Sequence, residues 1–211
     1  MRKALSCVLM MTLLLAGCKA GGSGEESPEQ LAAVIRGEYL SMAGWSADVR
    51  ITAEYDEKVY NFTVDVLWQR EGESVLTITE PELLAGITAR LEDGKGTLEY
   101  DGAGLSLGLL DEDGLTPLAV LPALMEHITT GYMARCAWEG EEPDRALRVC
   151  CRDPERAEGE GTEYTLWFDA ATHALMRAEV SVDGATRLRL ELTDFTMEMT
   201  QDDTGDHADL G

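Results

Sequence analysis

The chain has 211 residues, 45% of them hydrophobic and 27% charged, with 17 basic against 40 acidic side chains and a formal net charge of −23. That balance suits one globular domain with a sizeable core. A surface this acidic is repelled by nucleic acid and by anionic lipid headgroups, so both are excluded as primary partners.

The N-terminus carries a sharp signal. Arg2 and Lys3 precede an apolar run from Ala4 to Leu15, then Leu15-Ala16-Gly17-Cys18. The apolar run is too short to span a bilayer, and with its basic start and small-residue end it reads as a signal peptide over residues 1–17. Leu-Ala-Gly-Cys resembles the lipobox of bacterial lipoproteins. The resemblance implies that Cys18 receives a diacylglycerol, becomes the first residue and, with two or more acyl (palmitate-like) chains, anchors the chain to the exported face of a bacterial cell membrane. Residues 18–27 are Gly/Ser-rich, a tether of roughly 17 Å r.m.s. reach.

Ser27-Pro28-Glu29-Gln30 has the composition of a capping box. The stripe Leu31, Val34, Ile35, Tyr39 and Met42 predicts a helix that Gly44 ends. From Trp45 to Leu109 six strands are expected. Ala47, Val49, Ile51, Ala53 and Tyr55 alternate with polar residues, as do Tyr60, Phe62, Val64, Val66 and Trp68, the period of a half-buried strand. Val75–Thr79, Leu83–Leu91 (with Ile87, Ala89 and Leu91 on one face), Thr97–Tyr100 and Leu105–Leu109 follow, and Asp101-Gly102 is a hairpin signal. The acidic Asp111-Glu112-Asp113-Gly114 lacks the further ligands of an EF-hand loop. Leu118 to Met125 is apolar throughout and predicts a buried helix, kinked by Pro122, which could serve as a hinged lid.

Five more strands are expected after Thr130. They run through Tyr132–Trp138, Leu147–Cys151, Tyr164–Phe168, Met176–Val182 and Leu188–Leu192, with acidic loops at Gly140–Asp144 and Asp153–Gly161 and a turn at Asp183-Gly184. If Trp138 pairs with Val149, Cys136 faces Cys151 on one side, and either a cross-strand disulfide or free thiols fit. The domain is therefore expected over 28–199, with residues 200–211 an acidic, disordered tail.

Eleven strands at about 4.8 Å make a flat sheet about 50 Å wide, and one helix covers about 10 Å. Two helices cannot roof it. The sheet must curl into an open or half barrel with an apolar cavity, or fold into a packed sandwich; the curled, mainly β (α+β) form is the one expected. The order helix, six-strand meander, apolar helix, five strands, with Trp167-Phe168-Asp169, Leu175-Met176-Arg177-Ala178-Glu179 and Leu192-Thr193-Asp194-Phe195, resembles the outer-membrane lipoprotein carrier superfamily (the LolA/LolB fold, shared by LppX and RseB types). The resemblance implies an open barrel with a helical lid that binds acyl chains of lipids or lipoproteins. The soluble carrier has no lipobox, so free diffusion does not carry over, and none of its functional residues is matched.

Val49, Ile51, Phe62, Val64, Ile87, Leu107, Leu121, Leu124, Met125 and Trp138 are the expected cavity lining. The other reading is an envelope interaction or sensor module, its interior packed and its acidic loops facing a basic protein. His127, His173 and His207 read as surface residues. No nucleophile elbow, P-loop, dinucleotide fingerprint or metal spacing occurs, so neither enzyme chemistry nor a cofactor is expected.

Overall fold

The computed structural model describes residues 26–55, 58–92, 95–109, 115–117 and 119–200. The signal peptide, Cys18, most of the tether, the 111–114 turn, Leu118 and the tail beyond Thr200 lie outside the described residues.

Helix α1 (Pro28–Ser41) leads into a six-strand meander: β1 (Met42–Tyr55), β2 (Lys58–Gln69), β3 (Ser74–Glu80), β4 (Thr88–Glu92), β5 (Lys95–Tyr100) and β6 (Ala103–Leu109). Helix α2 (Val120–Thr129) follows. The second meander is β7 (Met133–Glu139), β8 (Ala146–Arg152), β9 (Thr162–Asp169), β10 (Leu175–Val182) and β11 (Ala185–Met199). All eleven strands form one curled antiparallel sheet in the order β6-β5-β4-β3-β2-β1-β11-β10-β9-β8-β7. The sheet is not closed: β6 and β7 are its two edges. A single sheet excludes the sandwich.

The two meanders meet where β1 pairs with β11, setting Val49 opposite Leu192 and Ile51 opposite Leu190. On its other side Val49 faces Val64 and Ile51 faces Phe62. The period of two therefore carries across the seam from Asp48 to Ala53 and gives one apolar inner face. The β1–β11 pairing shifts twice, between Met42 and Gly44 and between Ser46 and Asp48. Asp194 adopts φ +53°, and the β1 pairing shifts between Asp48↔Thr193 and Ser46↔Thr196. This bulge accompanies an inward turn of Phe195, which stacks on Trp45 (5.4 Å) and on Tyr39 (6.1 Å). The tight turns form as their residues require: Asp101-Gly102 and Asp183-Gly184 all have positive φ, as a type I′ hairpin turn demands.

At the start of α1 the Gln30 amide donates to Ser27 Oγ (3.3 Å) and the Ser27 amide donates to Gln30 Oε1 (2.9 Å). The helix stops at Ser41, before the expected Gly44. Gly44 belongs to β1, where an added Cβ would stand 2.7 Å from the Trp68 carbonyl oxygen; strand approach, not a helix cap, requires glycine there. Leu31, Ile35, Tyr39 and Met42 are buried as the stripe predicts, but Val34 faces solvent and Ala32 is buried instead.

The expected strand from Leu83 begins only at Thr88, because Glu82–Leu84 after Pro81 winds into a 3-10 turn. Pro122 does not kink α2. It is the helix's third residue, where the backbone N–H has no intrahelical acceptor in any case. No proline hinge exists, and Ala119 donates to Thr116 Oγ1 (3.2 Å) to order the entrance to the helix.

Two arginines fix the helices. Arg70, in the β2–β3 turn, donates to the Tyr39 carbonyl (2.6 Å) and the Met42 carbonyl (2.9 Å) at the end of α1, whose last turn has no basic residue of its own. Arg36, on α1, donates to the Ile128 carbonyl (2.9 Å) and the Gly131 carbonyl (2.6 Å) at the end of α2. Each guanidinium satisfies carbonyls that a helix C-terminus leaves open and offsets its negative dipole end. Replacing Arg36 or Arg70 by Met is expected to cost about 2 kcal/mol each, the price of part-buried carbonyls without donors, measured by urea unfolding.

Candidate functional site

The inner face divides into a sheltered half and an open half. α2 crosses the sheltered half. At its near end the Tyr55 hydroxyl of β1 donates to the Leu115 carbonyl (2.7 Å). At its far end the His127 ring stacks on Tyr164 of β9 (centroids 3.8 Å apart) and Cys151 Sγ of β8 reaches the His127 carbonyl oxygen (3.7 Å). A ten-residue helix is about 15 Å long, which matches the span from β1 to β9 and β8 at about 4.8 Å per strand. α1 lies beside α2 over β7 and β8. It is anchored by Tyr39, whose hydroxyl donates to the His173 carbonyl (3.2 Å) and accepts from the Leu175 amide (3.0 Å). Burial pushes the Tyr39 phenol far above its ordinary range. Under these helices Val49, Ile51, Leu166, Val180 and Leu190 are fully buried.

Among the described residues the cover thins over the outer strands of the first meander. Along β2 to β6 the inner face passes from buried Val64 and Leu76, through half-buried Phe62, Ile78, Ile87 and Leu98, to solvent. Tyr60 is 42% exposed, Tyr100 54%, Leu105 63% and Leu107 37%. Leu105 pairs with Leu98, and Leu98 with Ala89, so these residues are neighbours on one face. Singly exposed leucines are ordinary; a row of them on the apolar face of a sheet is the less usual observation.

The residues expected to line the site fall into three sets. Val49, Ile51, Val64, Leu121, Leu124 and Met125 are sealed in the core. Phe62 and Ile87 stand half-buried on the open half, and Leu107 is exposed at its far strand. Trp138 lies on the opposite edge strand, half-buried, with the Arg145 guanidinium 4.0 Å from its ring centroid. Leu98, Tyr100 and Leu105 were not among the expected lining; the alternations Thr97-Leu98-Glu99-Tyr100 and Gly104-Leu105-Ser106-Leu107 were their signal.

The β7–β8 register differs from the expected one by two residues. Trp138 pairs with Leu147 and Cys136 with Val149. Cys136 and Cys151 are therefore not opposed: a register shift between Met133 and Arg135 sets Cys151 opposite Met133, three positions along β7 from Cys136. All three thiols are free. Burial raises each of them, Cys151 to about 12. His127 and His173 are not the surface residues expected, and His207 lies outside the described residues. His127 is half-buried against Tyr164, and desolvation holds it below its ordinary 6.5. His173 Nδ1 lies 2.7 Å from Glu38 Oε2 and joins the β9–β10 turn to α1. The Asp169 carboxylate accepts from the Ala171 and Thr172 amides and the Thr172 hydroxyl, which hold it below the usual carboxylate range. Among the described residues no group of three or more His, Cys, Asp or Glu is placed to hold a metal ion.

Two outcomes follow from these groups. A histidine kept neutral by burial takes up its proton more readily when unfolded, so its contribution is lost as pH falls through 6.5 toward its lower folded value. His127→Phe removes this term, and its unfolding free energy relative to wild type should rise as pH falls from about 7 to about 5. Cys151 should stay unreactive to a thiol reagent at about pH 8 in the native chain and react on unfolding, because the thiolate is the reactive form; mass mapping of the labelled cysteines reads this directly.

No family model and no curated protein matches the chain. Solved structures similar to it include an uncharacterized conserved protein of Thermus thermophilus (12% identity, 84% of this chain and 91% of that one, TM-score 0.49). They also include a LolA superfamily protein of Nitrosomonas europaea (12%, 83% and 96%, TM-score 0.39) and the Mycobacterium tuberculosis lipoprotein LppX (18%, 80% and 96%, TM-score 0.42). The chain is similar to these structures over most of its length and theirs, at low sequence identity.

Proposed function

We propose that the chain is a bacterial cell-envelope lipoprotein, held at the membrane by lipidated Cys18, that binds acyl chains of a lipid or lipoprotein on the open half of its inner face. The observation that carries this reading is the exposed apolar row Tyr60, Tyr100, Leu105 and Leu107, continuous with half-buried Phe62, Ile87 and Leu98. A soluble face of this kind is unfavourable until covered. Each methylene moved from water onto it contributes about 0.8 kcal/mol, so a dozen would contribute about 10 kcal/mol before the entropic cost of binding. The sealed residues Leu121, Leu124 and Met125 act in this reading as the wall at the inner end of the trough rather than as its contact surface.

The acidic loops give less support to capture of a basic protein partner. Glu142, Asp153 and Glu158 are each within 4.0 Å of an arginine of this chain, Arg145, Arg156 and Arg135, so part of their charge is already met internally.

Native mass spectrometry of the chain extracted from membranes should find bound lipid, and the purified chain should take up a fluorescent fatty acid. Leu105→Glu with Leu107→Glu should lower that uptake at least about tenfold while changing stability by roughly 0.5 kcal/mol or less, as exposed sites do. Val34→Glu, on the exposed side of α1, should leave uptake unchanged. Leu124→Ala, in the core, should instead cost about 2–5 kcal/mol of stability. Absence of both co-purified lipid and uptake would overturn the reading. Cys18→Ser should release the chain from the membrane fraction.

A further inference from the structure

The open half is graded in polarity along one strand. On the inner side of β2, Lys58 is exposed, Tyr60 is 42% exposed, Phe62 is half-buried, and Val64 and Val66 are buried. Lys58 belongs to this side. It pairs with Tyr55, opposed residues of an antiparallel pair share a face, and the Tyr55 ring lies 6.2 Å from that of Tyr60. The row therefore passes from a cation, through a phenol, to a phenyl ring and then into the core. Lys58 also differs from the arginines of the chain. Arg50, Arg90, Arg135, Arg177 and Arg189 each meet a carboxylate of their own chain. Among the described residues no carboxylate lies within 4.0 Å of Lys58, and Glu54, beside the same hairpin, is held by Arg189.

We infer that Lys58 is the head-group residue of the acyl site: its ammonium holds the anionic end, carboxylate or phosphate, of an amphiphile whose chain runs over Phe62 toward Ile78, Ile87 and Leu98. This rests on the acyl-binding reading and adds to it the charge of the ligand's head and the end of the row at which that head lies. A lysine stem packs along apolar surface while its charge stays in water, so Lys58 can meet a wet head without wetting the row behind it. Phe62 follows four positions along β2, about 13 Å away, and an amphiphile has the same order of parts, a charged end followed by apolar length. The chain as a whole opposes an anion, Asp56 and Glu57 of the adjoining turn included. The attraction at Lys58 is therefore local, and its loss leaves nothing on the inner row to replace it, since Tyr60, Phe62, Ile78, Ile87 and Leu98 carry no positive charge.

Titration of the full chain with a fluorescent fatty acid and with its methyl ester tests this. Lys58→Gln should weaken binding of the acid about threefold, the worth of an exposed ion pair, and leave the ester unchanged. Lys58→Arg should keep the affinity for the acid. Lys95→Gln, an exposed lysine at the other end of β5 from Tyr100, should alter neither. Lysophosphatidylglycerol and monoacylglycerol repeat the comparison for a phosphate head, and the pair with the larger Lys58 effect tells a phosphate from a carboxylate. Binding of both anions unchanged in Lys58→Gln, an equal loss of the neutral esters, or an equal loss in Lys95→Gln would each overturn the inference and leave the acyl-binding reading standing. A wild-type chain that binds none of these probes would overturn that reading and this inference with it.

Discussion

An antiparallel sheet with one apolar face must have that face covered, and here eleven strands share two helices. The helices cover what their length allows, β1 and β11 to β7, and there the interior is packed side chain. The remainder of the same face runs out into solvent along β4, β5 and β6. Curling brings some of the first meander into the core, as buried Val66, Leu76 and Ala89 show. It does not reach Leu105. The open half is a consequence of arithmetic between strand count and helix length, and the candidate site is what remains after the covering is used up.

The covered half is held together by contacts between residues far apart in sequence. Phe195 stacks between Trp45 and Tyr39, and Tyr39 meets Phe168 edge-on at 5.6 Å. One aromatic cluster thus joins α1, β1, β9 and β11. Its cost is visible too: among the described residues the buried Trp45 indole nitrogen has no hydrogen-bond partner, a loss of about 1–3 kcal/mol set against the burial of a large ring. Arg36 and Arg70 complete the arrangement by tying each helix end to a different part of the chain.

Much of the fold was legible because its signals are local. Alternation placed Val49, Ile51, Phe62 and Val64 on one face, Asp-Gly pairs marked the tight turns, and Ser27 to Gln30 marked a helix start. What failed was non-local or positional. The β7–β8 register slid by two residues, to which a period of two is silent, and a further shift between Met133 and Arg135 packs Met133 on the core and leaves Tyr132 exposed. Pro122 was read as a hinge, but its effect depends on where the helix begins, and Thr116 sets that. The bulge at Asp194 has no signature beyond an aspartate able to adopt positive φ. For the site, alternation showed which residues face inward but not which of them a helix would cover. Leu121 and Leu124 were therefore expected at a cavity and lie in the core, while Leu105 was passed over.

α1 passes into β1 with no intervening loop: Ser41 ends the helix and Met42 begins the strand. Tension on the segment before Ser27 therefore reaches the sheet only along the axis of α1, which is held sideways by Arg36, Tyr39 and the Glu38–His173 pair. Those contacts yield one after another, as in peeling, whereas the β1 ladders with β2 and β11 resist as a block in shear. A mechanical load at this end would strip the helix from the sheet and bare the sheltered half long before the strands themselves gave way.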